Sequence, residues 1–190
     1  MPMAAGSDRC VRQPQLLSDE QAFVVLTPYF EAVAEAFQGV HPRTRKVRLD
    51  IDSRAHDSPR HYAGCSPLGD RIICAPQLAN LLPGSLDEPI TPGEETVVAI
   101  LAHEFGHAVD FLHPGRFVLT DDMELIDTGT GPVPDDVRER RMRQWSVRGD
   151  DNVERTADAL ATTTLGRPIL YAGPCLLQSF RGIPRPAGLR

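Results

Sequence analysis

"AILAHEFGHAVDFLHPG", from Ala99 to Gly115, places two histidines and a glutamate inside an otherwise oily stretch with helical spacing. Leucine would pack better at those positions, so three ionisable groups on adjacent turns need a chemical reason. The helix itself is well signalled. Thr91 is a good N-cap, Pro92 suits the first helical position, and Glu94 closes a capping box. Val97, Leu101, Phe105, Ala108 and Leu112 then recur at helical spacing until His113-Pro114-Gly115 stops the run. Residues four apart share a face, about 6 Å apart along the axis, so the imidazoles of His103 and His107 can grip one metal ion. Glu104 is rotated from them by roughly a third of a turn, which lets it flank that ion and reach a water molecule there.

This H-E-x-x-H arrangement suits zinc. Neutral imidazole nitrogens bind it well, and a water at an open fourth position has its pKa lowered to about 7. A carboxylate beside that water can take its proton as it attacks a carbonyl, and return the proton to the leaving amine. The bland alternative is a helix whose histidines only satisfy local hydrogen bonds. The capped helix with an apolar stripe on the neighbouring face weighs against it.

A third ligand is offered further along, by "DDNVERTADALA" in a helix expected from near Asp151 to Leu165. Glu154 and Asp158 lie four apart on one face, and Ala157 is small enough to let another helix come close. Val153, Ala157, Leu160 and Thr164 mark a core-directed face. A carboxylate buried there is costly unless it meets a cation, and one zinc ion per chain is the cation expected. Asp158, one turn beyond Glu154, is placed to accept the N–H of a zinc-bound imidazole and fix its tautomer.

"HEFGH" followed by "ERTAD" resembles the gluzincin zinc metallopeptidases, and "CSPLGDRIICAP" is similar to the cysteine-bearing strand region of bacterial neutral zinc metallopeptidases. The resemblance covers roughly residues 65–166 and is loose outside the motifs. It implies His103, His107 and Glu154 as metal ligands and Glu104 as general base. It also implies an α+β fold, a compact zincin in which a small sheet packs on the motif helix and a second helix carries the glutamate. An extended peptide or protein substrate would pair with an edge strand near Cys65–Arg71. No residue that stabilises the oxyanion is secure; Tyr171, His113 and Arg155 are the candidates. Asp110 reads as a surface or cap residue at least as readily as a partner of the site.

Working outward, Ser18 opens "SDEQAFVVLTPYFEAVAEAFQG" with Gln21 completing a capping box, and Phe23, Leu26, Phe30, Val33 and Phe37 recur at helical spacing up to Gly39. Pro28 either kinks one helix or occupies the first position of a second helix capped by Thr27. "KVRLDIDS" alternates as a half-buried strand, and "RHYAG" and "DRIICAP" read as two short strands forming a hairpin. "PQLANLLPG" is a short helical turn. Gly115 to Pro134 reads as a long loop, whose end is a connector or a lid over the cleft. A charged helix is expected over 135–147; its "RERRMRQW" is a solvated, salt-bridged face, with Trp145 as a core anchor. His41, His56 and His61 read as ordinary surface residues.

Four cysteines allow two disulfides, Cys65–Cys74 across the hairpin turn and Cys10–Cys175 joining the chain ends, or four buried thiols. The first reading places the protein outside the cytoplasm, the second inside it. "MPMAAGSDRC" shows no signal peptide, although a start after a removed leader reads the same. No apolar run reaches the roughly 18 residues of a membrane span. A net charge of −6 disfavours binding to nucleic acid or to anionic membranes. The 190 residues then divide into an N-terminal extension (1–17), a zincin-like metallopeptidase domain (18–175) and a C-terminal tail (176–190). The expected function is zinc-dependent peptide hydrolysis. The rivals are a zinc amidase without protease activity and a catalytically silent zincin-fold binding or regulatory module, the latter disfavoured by the intact Glu104.

Overall fold

Ser18 starts the first helix as its sequence predicts. Its hydroxyl accepts the Gln21 amide while the Gln21 side chain accepts the Ser18 amide. The computed structural model describes residues 17–54, 62–82, 92–120, 124–129 and 151–169. Within them α1 (Asp19–Val40) runs unbroken through Pro28, so the two-helix alternative falls. The missing proline N–H would have met the carbonyl of Val24, a residue that is 66% exposed, where water can serve that carbonyl instead. Ala22, Leu26, Tyr29, Phe30, Val33, Ala34 and Phe37 form the buried stripe. Phe23, expected in that stripe, is instead exposed beside it.

The motif helix α2 (Pro92–Leu112) is more central than an apolar stripe implies: every residue from Val97 to Phe111 is buried. It packs against α1, two short strands, a 3-10 turn at Pro76–Leu81, and the later helix α3 (Asp151–Leu165). A helix apolar nearly all round has no stable place except the centre. Phe105 anchors it, with ring centroids 5.2 Å from Phe30 and 5.1 Å from Phe37. Each polar group on this helix therefore needs its own partner. Glu94, for example, accepts a 2.8 Å hydrogen bond from the buried Tyr29 hydroxyl.

Three short strands build the sheet: β1 (Arg48–Ile51), β2 (Ala63–Cys65) and β3 (Arg71–Cys74), in the order β1-β3-β2. β1 runs parallel to β3, and β2 pairs with β3 as the antiparallel hairpin that the sequence suggests. The residues alternate, so Ala63, Cys65, Ile72 and Cys74 share the buried face. Gly69 (φ 67°) makes the turn possible, and its Cα hydrogens sit against the Ala108 carbonyl, where a Cβ would approach to 2.9 Å.

The expected Cys65–Cys74 bridge is not formed: both are free, buried thiols. Cys65 lies opposite Ile72 and Cys74 opposite Ala63, so the two are diagonal neighbours. Diagonal pairs stand about 7–8 Å apart, against the roughly 3.5–4.5 Å between Cβ atoms in a disulfide. With that bridge goes half of the cysteine argument for an extracytoplasmic setting. Cys10 and Cys175 lie outside the described residues, as do the charged helix over 135–147, Trp145, His56, His61 and Tyr171.

The segment after Gly115, read as a loop, contains a hairpin of β4 (Phe117–Leu119) and β5 (Leu125–Asp127). Three residues per strand are too few for alternation to register. The hairpin is closed by a fork in which Arg116 donates two 2.7 Å bonds to the Asp127 carboxylate. The described residues thus form an α+β fold, with helices and two small sheets around one apolar core. No helix among them is long and apolar enough to cross a membrane.

Candidate metal centre

His103 and His107 stand on successive turns at the middle of α2, and Glu154 and Asp158 face them from α3. The Nε2 atoms of the two histidines are 3.0 Å apart, and Glu154 Oε2 is 3.0 Å from the first and 3.5 Å from the second. A tetrahedral ion with bonds of 2.0–2.1 Å has ligand-to-ligand edges of about 3.3 Å, so these three atoms are spaced as one face of such a tetrahedron. The rings are held nearly perpendicular, at 88°, and His107 stacks on Phe111.

Proton accounting points the same way. Asp158 Oδ1 is 2.7 Å from His103 Nδ1, so that nitrogen donates to the carboxylate. In a neutral His103 the Nε2 lone pair then faces the Glu154 oxygen at 3.0 Å, two acceptors that need a proton or a metal ion between them. A proton can fill that role. Burial disfavours the charged ring, but hydrogen bonds to Asp158 and Glu154, with the charge of Glu104, lift the His103 pKa to about 10. Hydrogen bonds from His103 and then His107 hold the Glu154 carboxyl well below the usual carboxylate range. A divalent ion can take all three lone pairs at once, where one proton bridges only two of the atoms, and two imidazoles plus one carboxylate are a zinc donor set. His107 Nδ1, buried with no hydrogen-bond partner among the described residues, is unaffected by that choice.

Glu104 is 4% exposed and belongs to the same stretch of helix. Its charge acts on His103 on one side and, on the other, helps burial push the Cys65 and Cys74 thiols up. Among the described residues, His103, His107 and Glu154 are the group whose ligand atoms converge.

The other candidates are scattered. Arg155 is exposed on α3. His113 lies beyond the end of α2, with its ring edge-on to Phe117 and six residues, about 9 Å of helical rise, past His107. Asp110 is buried, contrary to the surface or cap reading; its position within the oily run of α2 was the available signal. His41 is buried too, packed between Phe37 and Phe117 rather than set on the surface.

Burial, then the charges of Arg43, Arg116 and His41, push the His113 pKa down to about 4. Between pH 6.5 and 4 the unfolded chain takes up a proton that the folded chain refuses, so stability falls as pH drops through that window. Thermal melts at pH 7 and pH 5 should show this loss, and His113→Asn should reduce the slope. An unchanged slope would contradict the assignment.

Comparison of the chain with protein-family models, with curated proteins and with solved structures finds no match.

Proposed function

We propose that this protein is a zinc-dependent metallopeptidase of the gluzincin type, with His103, His107 and Glu154 as ligands and Glu104 as general base. The observation that carries the reading is the convergence of three ligand atoms at 3.0, 3.0 and 3.5 Å, with Asp158 bonded to the far nitrogen of His103. Zinc held by these residues supplies a Lewis acid that acidifies water and polarises a carbonyl.

The chain's own groups do the rest. Asp158 fixes the His103 tautomer with its Nε2 lone pair directed inward. Glu104 takes one proton from the attacking water and delivers it to the departing amine nitrogen, so the peptide becomes an acid and an amine with no other reactant. Among the described residues β2 is an edge strand, and it packs against α2, so an extended peptide added to it runs alongside the motif helix.

Purified protein should carry about one zinc per chain by elemental analysis. A chelator should stop cleavage of unfolded casein, and added zinc should restore it. A chain that takes up no zinc overturns the metal centre; a zinc-loaded chain that leaves casein intact overturns the peptidase.

A further inference from the structure

We infer that Gly106 is a positioning residue for the metal centre: by admitting the α3 backbone to contact, it sets the distance from which Glu154 reaches the imidazoles. The inference rests on the metal-centre reading above and deepens it. Gly106 lies between the two ligand histidines in sequence, directly before His107. A Cβ there would sit 2.2 Å from the Ala157 carbonyl oxygen and 2.8 Å from both the Ala157 carbonyl carbon and its Cα. All three are backbone atoms of α3, so no rotamer change relieves the clash.

Ordinary contact begins at 3.4 Å, so a methyl group at position 106 forces α3 outward by roughly 1 Å or a comparable rotation. Ala157 lies between Glu154 and Asp158 on that helix, and both carboxylates move with it. Metal ligands tolerate about 0.2 Å. Asp158, on its short side chain, cannot follow His103 from 2.7 Å across such a shift. Glu154 is longer and has its side chain 43% exposed, so it recovers part of the reach. Affinity is therefore reduced rather than abolished.

Gly93 supplies the control. A Cβ at Gly93 would meet the Leu81 carbonyl oxygen at 1.7 Å, an equally severe backbone clash, but ten residues before His103 on the same helix. A purely structural role for Gly106 predicts that the two substitutions behave alike.

The test is zinc affinity, measured against a competing chelator, for the wild-type chain, Gly93→Ala, Gly106→Ala, Glu154→Gln and the Gly106→Ala/Glu154→Gln double variant, with circular dichroism confirming the fold. Gly106→Ala should bind zinc about 10–100-fold more weakly, and Glu154→Gln should cost far less in that background than in the wild type. Gly93→Ala should lose stability with unchanged zinc affinity. Wild-type affinity in Gly106→Ala, an equal cost of Glu154→Gln in both backgrounds, or failure of Gly106→Ala to fold each overturns the inference alone. A wild-type chain that binds no zinc brings down the metal-centre reading, and this inference with it.

Discussion

Glu104→Gln is expected to leave about one zinc per chain and to cut hydrolysis of an unfolded protein by about 10²–10⁴-fold, the range spanned by a positioned general base. Glutamine keeps the volume and shape of the side chain and removes only its basicity. The three atoms that converge to hold an ion belong to His103, His107 and Glu154, so on the proposed assignment metal content should not change. The loss should fall on kcat with KM little altered, because the proton transfer is made in the transition state and not in substrate binding. A second signature separates this role from a structural one. Glutamine fills the same buried space, so the variant should keep the wild-type fold by circular dichroism while losing activity. Undiminished cleavage would refute the base, and loss of zinc would instead make Glu104 a ligand.

The sequence spoke clearly where one period dominated. α2 ends at Leu112 before the Pro-Gly stop, and α3 spans Asp151–Leu165, both as their spacing and breakers predict. Four residues of the cluster were identifiable because ionisable groups interrupt apolar periods at i, i+4. Burial on all sides of α2 was not legible, since a helix stripe and a helix centre share the same apolar positions. The burial of Asp110 follows from that central place of α2, while the burial of His41 comes from an element distant in sequence, Phe117 across the fold. The disulfide expectation failed on register. Eight residues lie between Cys65 and Cys74 in sequence, and only the pairing of Cys65 with Ile72 shows that the thiols sit diagonally. The β4–β5 hairpin escaped because its strands are three residues long and its closure is an Arg–Asp fork between residues 116 and 127.

The two candidate ligand histidines should differ in metal-free protein, although losing either should abolish tight zinc binding. His103 is bracketed by Asp158 at 2.7 Å and Glu154 at 3.0 Å, while His107 carries a buried Nδ1 with no partner among the described residues. His103→Ala takes away the positive charge that Asp158, with its side chain 10% exposed, is built to face. Breaking a buried ion pair from one side costs about 3 kcal/mol or more. His107→Ala loses stacking on Phe111 but also removes an unsatisfied polar atom, which offsets part of the loss. In metal-free protein at pH 6, His103→Ala should therefore be the more destabilised by urea titration. The pH dependence follows with a definite sign. Folded His103 holds its proton up to about pH 10 and the unfolded chain releases it near 6.5, so this contribution is complete below 6.5 and fades as pH rises toward 10. Zinc reverses the trend, because it competes with that proton for the Nε2 lone pair and binds better as pH rises. Metal-free wild type should accordingly lose stability between pH 6.5 and 10, and His103→Ala should lose less, its remaining slope above about pH 8.5 coming from the buried Cys65 and Cys74 thiols that both proteins share, while the stabilisation added by zinc should grow across the window. Equal losses for the two histidine variants, or a metal-free wild type indifferent to pH, would mean that Asp158 and Glu154 do not hold a charged ring between them.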